Sequence, residues 1–138
     1  MDQKLQLLRR VPLFAGLGNR EIEEVGRLVD EVDLPEGREL TREGRTANEF
    51  FVILDGRIRI DRGGATLRTL DAGDFLGEIA LVDGGPRTAT ATAETPVRAL
   101  VIGHREFHSL LDRFPSIQGS VLKALAERVR RTEPDACI

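Results

Sequence analysis

The 138-residue sequence contains one cysteine, two histidines and no long apolar run. The single cysteine, Cys137, excludes an internal disulfide and is typical of a reducing compartment. No apolar run approaches the roughly 18 residues that a membrane-spanning helix needs. The first residues, MDQKLQLLRRVPLF, also lack the apolar core and cleavage site of a signal peptide. We therefore expect a cytoplasmic chain without a membrane segment.

The sequence is also poor in the residue patterns of common enzymes. His104 and His108 are four positions apart on an expected helix, a spacing that allows both imidazoles to bind one metal ion, but a third ligand is not evident. We interpret them as surface histidines of a helix. The sequence contains no H-E-x-x-H motif, Walker loop or nucleophile elbow. It predicts a protein that is not an enzyme and holds no metal or other cofactor.

An excess of positive charge is absent as well, since the formal net charge is −3 at pH 7. Domains that bind nucleic acid normally present a basic surface, so we expect no direct nucleic-acid partner. Three arginines near the C-terminus, Arg128, Arg130 and Arg131, suit the negative end of a helix dipole. A single arginine in a pocket can still form a local site for an anionic ligand.

The apolar content and the spacing of apolar residues predict one domain in three parts. Apolar residues make up 41% of the chain, enough for one hydrophobic core at this length. The apolar spacing is helical near the N-terminus, changes to a period of two, and becomes helical again near the C-terminus. We therefore expect a single domain over 1–138, with a helical lead-in (1–30), a β-roll (31–103) and C-terminal helices (104–131).

Each helical part predicts two helices. The lead-in contains a short helix around Gln3 to Arg9 and an amphipathic helix over 19–30. After His104 the first C-terminal helix runs to Pro115, which starts a second one. That second helix carries an apolar stripe of Ile117, Val121, Leu122, Leu125, Ala126 and Val129.

The middle part consists of short segments in which polar and apolar residues alternate, separated by glycine-containing turns. Many short strands at this spacing predict a mainly β fold, a β-roll of the jelly-roll kind with flanking helices. The strand candidates are EVDL, RELTRE, EFFVIL, RIRID, ATLRTL, RTATATA and VRALVI.

One stretch of the middle part, GDFLGEIALVDGGPRTATATAE, contains residues that a structural turn does not need. Gly77 has no Cβ and lets a ligand approach the backbone closely. Glu78 is expected to start a short helical turn, where unpaired N–H groups attract an anion and the carboxylate can accept bonds from hydroxyl groups. Nine positions later, Arg87 offers a planar fork that suits a phosphate. The stretch therefore indicates a site for a small anionic, hydroxylated ligand.

The strand that follows Arg87 alternates Thr and Ala from 88 to 93, so that one face carries hydroxyls and the other only methyls. The small side chains leave space beside the arginine. A plain alternative is a surface arginine paired with Glu78 or Asp83, with Glu78 acting only as a helix N-terminal acid. The combination of glycine, acid, proline, arginine and small-residue strand favours the ligand site.

This stretch resembles the phosphate-binding cassette of the cyclic-nucleotide-binding domain family. The family pattern is Gly-Glu, apolar residues, a short loop, then Arg followed by small residues. The matching residues here are Gly77-Glu78-Ile79-Ala80-Leu81 and Pro86-Arg87-Thr88-Ala89, within a cassette placed at 75–90. The order of helical lead-in, β-roll and helices is also similar, so the resemblance covers nearly the whole chain.

The resemblance implies a role for each cassette residue. Arg87 would bind the exocyclic oxygens of the cyclic phosphate, and Ala89 would donate its backbone N–H to the same group. Glu78 would accept the ribose 2′-hydroxyl, with backbone contacts from Gly77 and Ala80.

Thr88 occupies the position where a hydroxyl in the family favours or tolerates cGMP, although some members with a hydroxyl there prefer cAMP. The resemblance therefore implies cAMP or cGMP as the ligand without deciding between them. The ligand-binding residues it implies are Gly77, Glu78, Ile79, Ala80, Arg87, Thr88 and Ala89.

The implied function is a regulatory domain that senses a cyclic nucleotide and signals through movement of its C-terminal helices. The alternative is an interaction module of the same fold that needs no nucleotide and acts through a protein partner. The sequence contains no helix-turn-helix, kinase or channel segment, so we expect an effector outside it, for a stand-alone domain or for a piece of a longer product. The apolar stripe has two candidate partners, the β-roll and a second copy of itself in a homodimer.

Overall fold

The computed structural model describes residues 3–11, 14–46, 49–77 and 86–132. Four helices and eight strands lie within these ranges. The helices are α1 (Gln3–Leu8), α2 (Asn19–Arg27), α3 (His104–Arg113) and α4 (Pro115–Thr132). The strands are β1 (Asp30–Leu34), β2 (Glu39–Thr41), β3 (Glu49–Asp55), β4 (Ile58–Arg62), β5 (Ala65–Leu70), β6 (Phe75–Leu76), β7 (Thr90–Ala93) and β8 (Val97–Gly103).

The strands form two four-stranded sheets, both antiparallel. One has the order β1-β8-β3-β6 and the other the order β2-β7-β4-β5. In the first sheet, β8 pairs with β3 from Phe50↔Ile102 through Val52↔Leu100. The predicted fold class, mainly β with an N-terminal helical segment and two C-terminal helices, is confirmed.

The chain divides into two compact units. The strands all belong to the unit Leu28–His108, and the other unit combines Met1–Arg27 with Ser109–Ile138. The core of the strand unit contains residues from both sheets, because alternate side chains of a strand point to opposite faces. Its buried residues are Phe51, Ile53, Ile58, Ile60, Leu70, Ala91, Ala93, Val97 and Ala99.

The second unit, here called the terminal unit, contains helices from the N-terminal and C-terminal parts of the chain. Ile22 and Val25 of α2 and Ile117 of α4 are buried at the spacing expected of amphipathic helices. At the surface of this unit, Arg113 contacts the carboxylate of Glu24 at 3.5 Å. Because Arg113 is exposed and Glu24 only half-buried, this pair contributes little free energy, and the buried apolar side chains stabilise the unit.

The structure corrects two of the predicted boundaries and adds one short strand. Helix α2 ends at Arg27 and not at residue 30, because Asp30 pairs with Val101 at the start of β1. Strand β7 begins at Thr90 and not at Arg87. Phe75 and Leu76, which are not among the strand candidates, form the short strand β6 by pairing with β3.

The apolar stripe of α4 is narrower than its sequence spacing predicts. Ile117 and Val121 are buried, whereas Leu122 is 68% exposed and Ala126 is also exposed. Within the described residues, none of the helices is long and apolar enough to cross a membrane.

Candidate functional site

Arg87 lies just before β7, in a segment that is held by backbone hydrogen bonds to the turn after β2. Its N–H donates to the carbonyl of Arg45 at 3.0 Å, and its carbonyl accepts from the N–H of Gly44 at 2.9 Å. Pro86 continues this pairing through an isolated bridge to Thr46. The backbone of Arg87 is therefore fixed to this turn through both its N–H and its carbonyl.

The side chain of Arg87 is buried, with only 6% of the residue exposed. Its Nη2 donates to the main-chain carbonyl of Glu49 at the start of β3. Nε and Nη1 are also buried, and neither has a hydrogen-bond partner among the residues that the structure describes. Because buried donors are nearly always paired, a guanidinium with two nitrogens that have no partner among the described residues could accept an anion. Arg87 is therefore not a surface arginine, whereas the pairing with Glu78 or Asp83 that the alternative also included lies outside the described residues.

Two opposing effects act on the pKa of the Arg87 guanidinium. Burial lowers the pKa of the Arg87 guanidinium, since the charged form loses its hydration. The carboxylate of Glu49 raises the same pKa and offsets part of this effect. An arginine remains charged despite such shifts, so Arg87 places a buried positive charge at this site.

Gly77 lies directly against this guanidinium. The turn before β6 places it there: Gly73 donates to the carbonyl of Ile53 and the N–H of Ile53 donates to the carbonyl of Asp74, both at 2.8 Å. A Cβ added to Gly77 would contact Nη1 of Arg87 and would lie 2.7 Å from the Glu49 carbonyl oxygen. The backbone also has a φ of +89° here, which favours glycine. The structure thus brings together Gly77 and Arg87. It also places the main-chain carbonyl of Glu49 beside both of them.

The residues after Arg87 are held through their carbonyl groups. Thr88 is exposed, and its carbonyl accepts from Nε of Arg62 at 2.9 Å. Ala89 is half-buried, and its carbonyl accepts from the hydroxyl of Thr41 at 3.2 Å. In β7, Ala91 and Ala93 are buried, which confirms the predicted methyl face. The segment from Arg87 to the strand is therefore fixed along its length.

Replacing Thr41 by valine is expected to lower the free energy of unfolding by about 1 kcal/mol, since it deletes one buried hydrogen bond with little change in volume. Thr41 is 6% exposed and its hydroxyl donates to Ala89. Urea unfolding of the variant and the wild type measures the difference. The control is Thr69→Val, because Thr69 is an exposed residue of β5. It should change the free energy of unfolding by less than half as much as Thr41→Val does. Equal effects would show that the hydroxyl of Thr41 contributes nothing.

Glu78, Ile79 and Ala80 lie outside the described residues, as does the helical turn expected there. Sequence reasoning missed Glu49, because the group that contacts Arg87 is a main-chain carbonyl and every residue carries one. No sequence signal marks such a contact, which depends on the position of Glu49 at the start of β3, where it pairs with Gly103 of β8.

The two histidines of α3 lie side by side, with ring centroids 4.2 Å apart and ring planes inclined by 54°. Within the part of the chain that is described, no group of three His, Cys, Asp or Glu side chains could hold a metal ion. The paired imidazoles therefore do not form part of a recognisable metal centre there.

Comparison with known proteins identifies the family. Residues 31–114, more than half of the chain, match the cyclic nucleotide-binding domain. This chain belongs to that family. The match includes every strand from β2 to β8 and helix α3.

Similar proteins carry this domain as one part of a longer chain. A CRP-like cAMP-activated global transcriptional regulator of Mycobacterium tuberculosis is 32% identical over 132 residues, which cover 92% of this chain and 59% of the regulator. A cyclic nucleotide-gated potassium channel of Rhizobium etli is 34% identical over 123 residues, covering 89% of this chain and 34% of the channel. The chain thus spans about three fifths and one third of these relatives.

A solved structure with the same fold is the N-terminal domain of a transcriptional regulator from Streptomyces coelicolor A3(2). It superposes with a TM-score of 0.83 at 34% sequence identity, and the alignment covers 94% of this chain and 96% of that domain. The similar proteins are therefore named as two transcriptional regulators and a channel.

Proposed function

We propose that this chain is a sensor that binds cAMP or cGMP and performs no chemistry on it. The observation that carries the proposal is the buried guanidinium of Arg87, which has two N–H donors without a partner among the described residues. A cyclic phosphate carries one negative charge and two exocyclic oxygens, so it can accept from both donors and neutralise the charge. Family membership supports this choice among small anions.

In the proposed complex, Arg87 binds the exocyclic oxygens and the N–H of Ala89 donates to the same phosphate. Thr88 is exposed beside them and offers its hydroxyl to the base. Glu78 accepts the ribose 2′-hydroxyl. Gly77 contributes a close backbone approach, and Ile79 and Ala80 complete the backbone contacts around the ribose and phosphate.

The signal is carried by the C-terminal helices. A ligand shifts a conformational equilibrium only if it binds one state better than the other. In this proposal closure of the cassette on the phosphate changes the position that α3 and α4 prefer, and α4 passes the change to a protein effector or to a second copy of the chain. Leu122 supports this role, because a large apolar side chain that is 68% exposed is available to a partner.

Calorimetric titration tests the proposal. The protein is first freed of nucleotide carried over from expression, and then titrated with cAMP, cGMP and 5′-AMP. We expect saturable binding of at least one cyclic form and far weaker binding of 5′-AMP, which has a dianionic, uncyclised phosphate. Absence of binding by all three would contradict the sensor and would favour an interaction module that acts without nucleotide.

A further inference from the structure

The peptide group between Thr88 and Ala89 lies just before the regular part of the second sheet. Strand β7 begins at Thr90, and the register of β7 with β4 ends there, at Asp61↔Thr90. Beyond this pair, Nε of Arg62 donates to the carbonyl of Thr88 at 2.9 Å. A side chain at the end of β4 therefore binds a carbonyl that precedes the ladder.

The geometry of a peptide group links this contact to the N–H of Ala89. The carbonyl of Thr88 and the N–H of Ala89 belong to the same planar unit, in which rotation about the C–N bond is restricted. No peptide bond among the described residues is cis, so the two groups point in opposite directions. Because Arg62 binds the carbonyl, it also restricts the direction of the N–H on the other side of the same peptide.

The backbone that carries Arg62 is itself linked to this segment. Arg62 is the last residue of β4 and pairs with Ala65 of β5. The N–H of the next residue, Gly63, donates to the carboxylate of Glu43 at 2.9 Å. The N–H of Glu43 in turn donates to the hydroxyl of Thr90 at 3.0 Å. Glu43 therefore connects the β4–β5 turn to the start of β7, and the guanidinium of Arg62 extends from a backbone that is placed relative to the cassette.

We propose that Arg62 is a positioning residue of the ligand site, which orients the N–H of Ala89 towards the phosphate. The proposal rests on the proposed function, in which this N–H donates to the phosphate of a cyclic nucleotide. Arg62 acts through the Thr88 carbonyl and does not itself touch the ligand. Without it the peptide is free to rotate, and the ligand must order the peptide when it binds, which costs affinity.

The size of the effect follows from the exposure of the contact. Arg62 and Thr88 are both exposed, so water competes for the carbonyl. The net contribution of one such hydrogen bond corresponds to an affinity change of about three- to tenfold. The effect should therefore be clearly smaller than that of removing Arg87, which is buried.

The first experiment compares Arg62→Met with the wild type by calorimetric titration with cAMP and cGMP. Arg62→Met should bind about three- to tenfold more weakly. The matched control is Arg57→Met, because Arg57 immediately precedes the other end of β4 and its Nε donates to Asp71 at 3.1 Å. It removes the same charge and should bind like the wild type. Since Arg62 is exposed, urea unfolding of Arg62→Met should differ little from that of the wild type.

Cyclic nucleoside 3′,5′-phosphorothioates separate the positioning of one N–H from a general effect on the site. In each of the two diastereomers, sulfur replaces one of the two exocyclic oxygens, and sulfur is the weaker hydrogen-bond acceptor. Only the diastereomer that keeps oxygen at the Ala89 N–H has a full hydrogen bond to lose in Arg62→Met. This variant should therefore weaken one diastereomer by about three- to tenfold and the other by less than about twofold.

A second variant, Arg62→Lys, keeps the charge and a hydrogen-bond donor. It should lose less affinity than Arg62→Met, and should lose it for the same diastereomer. It also provides the test if Arg62→Met does not fold.

The possible results decide between the two proposals. If the wild type binds a cyclic nucleotide but Arg62→Met binds both diastereomers like the wild type, the inference about Arg62 is wrong and the proposed function stands. The same holds if both diastereomers weaken by one common factor, because a lost charge or a loosened cassette acts on both alike. If the wild type binds no cyclic nucleotide, the proposed function fails and the inference fails with it.

Discussion

Arg87→Ala should weaken cyclic-nucleotide binding by about 2–5 kcal/mol, the usual cost of removing one partner of a buried charged hydrogen-bonded pair. Arg87 is 6% exposed, and its Nε and Nη1 have no partner among the described residues. In the proposed complex these two donors meet the phosphate in a site from which water is largely excluded. Their loss leaves a desolvated anion without compensation, which is why the expected effect is large.

Replacing Arg87 by methionine, an apolar residue of similar length, should have a different effect on stability. In the nucleotide-free protein the guanidinium is desolvated and keeps only the Glu49 carbonyl as a hydrogen-bond acceptor among the described residues. Replacing a buried, poorly compensated charge with an apolar side chain of similar size is often neutral or stabilising. We therefore expect Arg87→Met to unfold at the same or a higher urea concentration than the wild type, while its nucleotide affinity falls.

Calorimetry and urea unfolding of the same preparations measure both quantities. Arg98→Ala is the matched control, because Arg98 is an exposed arginine of β8 that pairs with Asp33 at 3.2 Å. It removes the same charge without touching the site and should leave binding nearly unchanged. Arg87→Lys should fall between wild type and alanine, since an ammonium cannot reproduce the planar fork. If Arg87→Ala bound cyclic nucleotide as tightly as the wild type, the phosphate would have to lie elsewhere.

The fold could be predicted from the sequence to the extent that each element carries its own pattern. Alternation in TATA predicted one face of methyl groups, and the structure shows its Ala91 and Ala93 to be buried. The pattern over 19–30 predicted an amphipathic helix, and α2 buries Ile22 and Val25. The errors occur where long-range pairing overrides local preference. Asp30 continues a helical pattern in the sequence, but it forms part of β1 because it pairs with Val101 of β8, seventy-one positions away.

The candidate site likewise contains some residues that the sequence could predict and others that it could not. Gly77 and Arg87 could be found from the spacing of the cassette, because residue types with unusual conformations or charges leave a signal in the sequence. The contact with Glu49 could not, since it depends on a backbone carbonyl that is presented by the pairing of β3 with β6 and β8. The exposure of Leu122 was missed for a related reason: helical spacing defines a face, and does not tell how much of that face is covered.

Gly77→Ala is the second substitution for which we expect a large effect, and it acts on Arg87 without changing any charge. The backbone of Gly77 has a φ of +89°, where a residue with a Cβ is strained by about 1–3 kcal/mol. In addition, the new Cβ would meet Nη1 of Arg87 and would lie 2.7 Å from the carbonyl oxygen of Glu49. The guanidinium must then move, and the affinity for a cyclic nucleotide should fall by at least about tenfold, or 1.4 kcal/mol.

Gly37→Ala separates the two causes of this effect. Gly37 has nearly the same backbone conformation, with a φ of +88°, but a Cβ added there meets nothing within 4 Å. Both variants should lose similar stability in urea from backbone strain, with a further loss in Gly77→Ala from the overlap. Only Gly77→Ala should lose nucleotide affinity in calorimetry, because only there does the added methyl displace the arginine. Equal binding by the two variants would mean that the position of the guanidinium does not depend on Gly77, and that the close packing of these two residues has no role in holding the ligand.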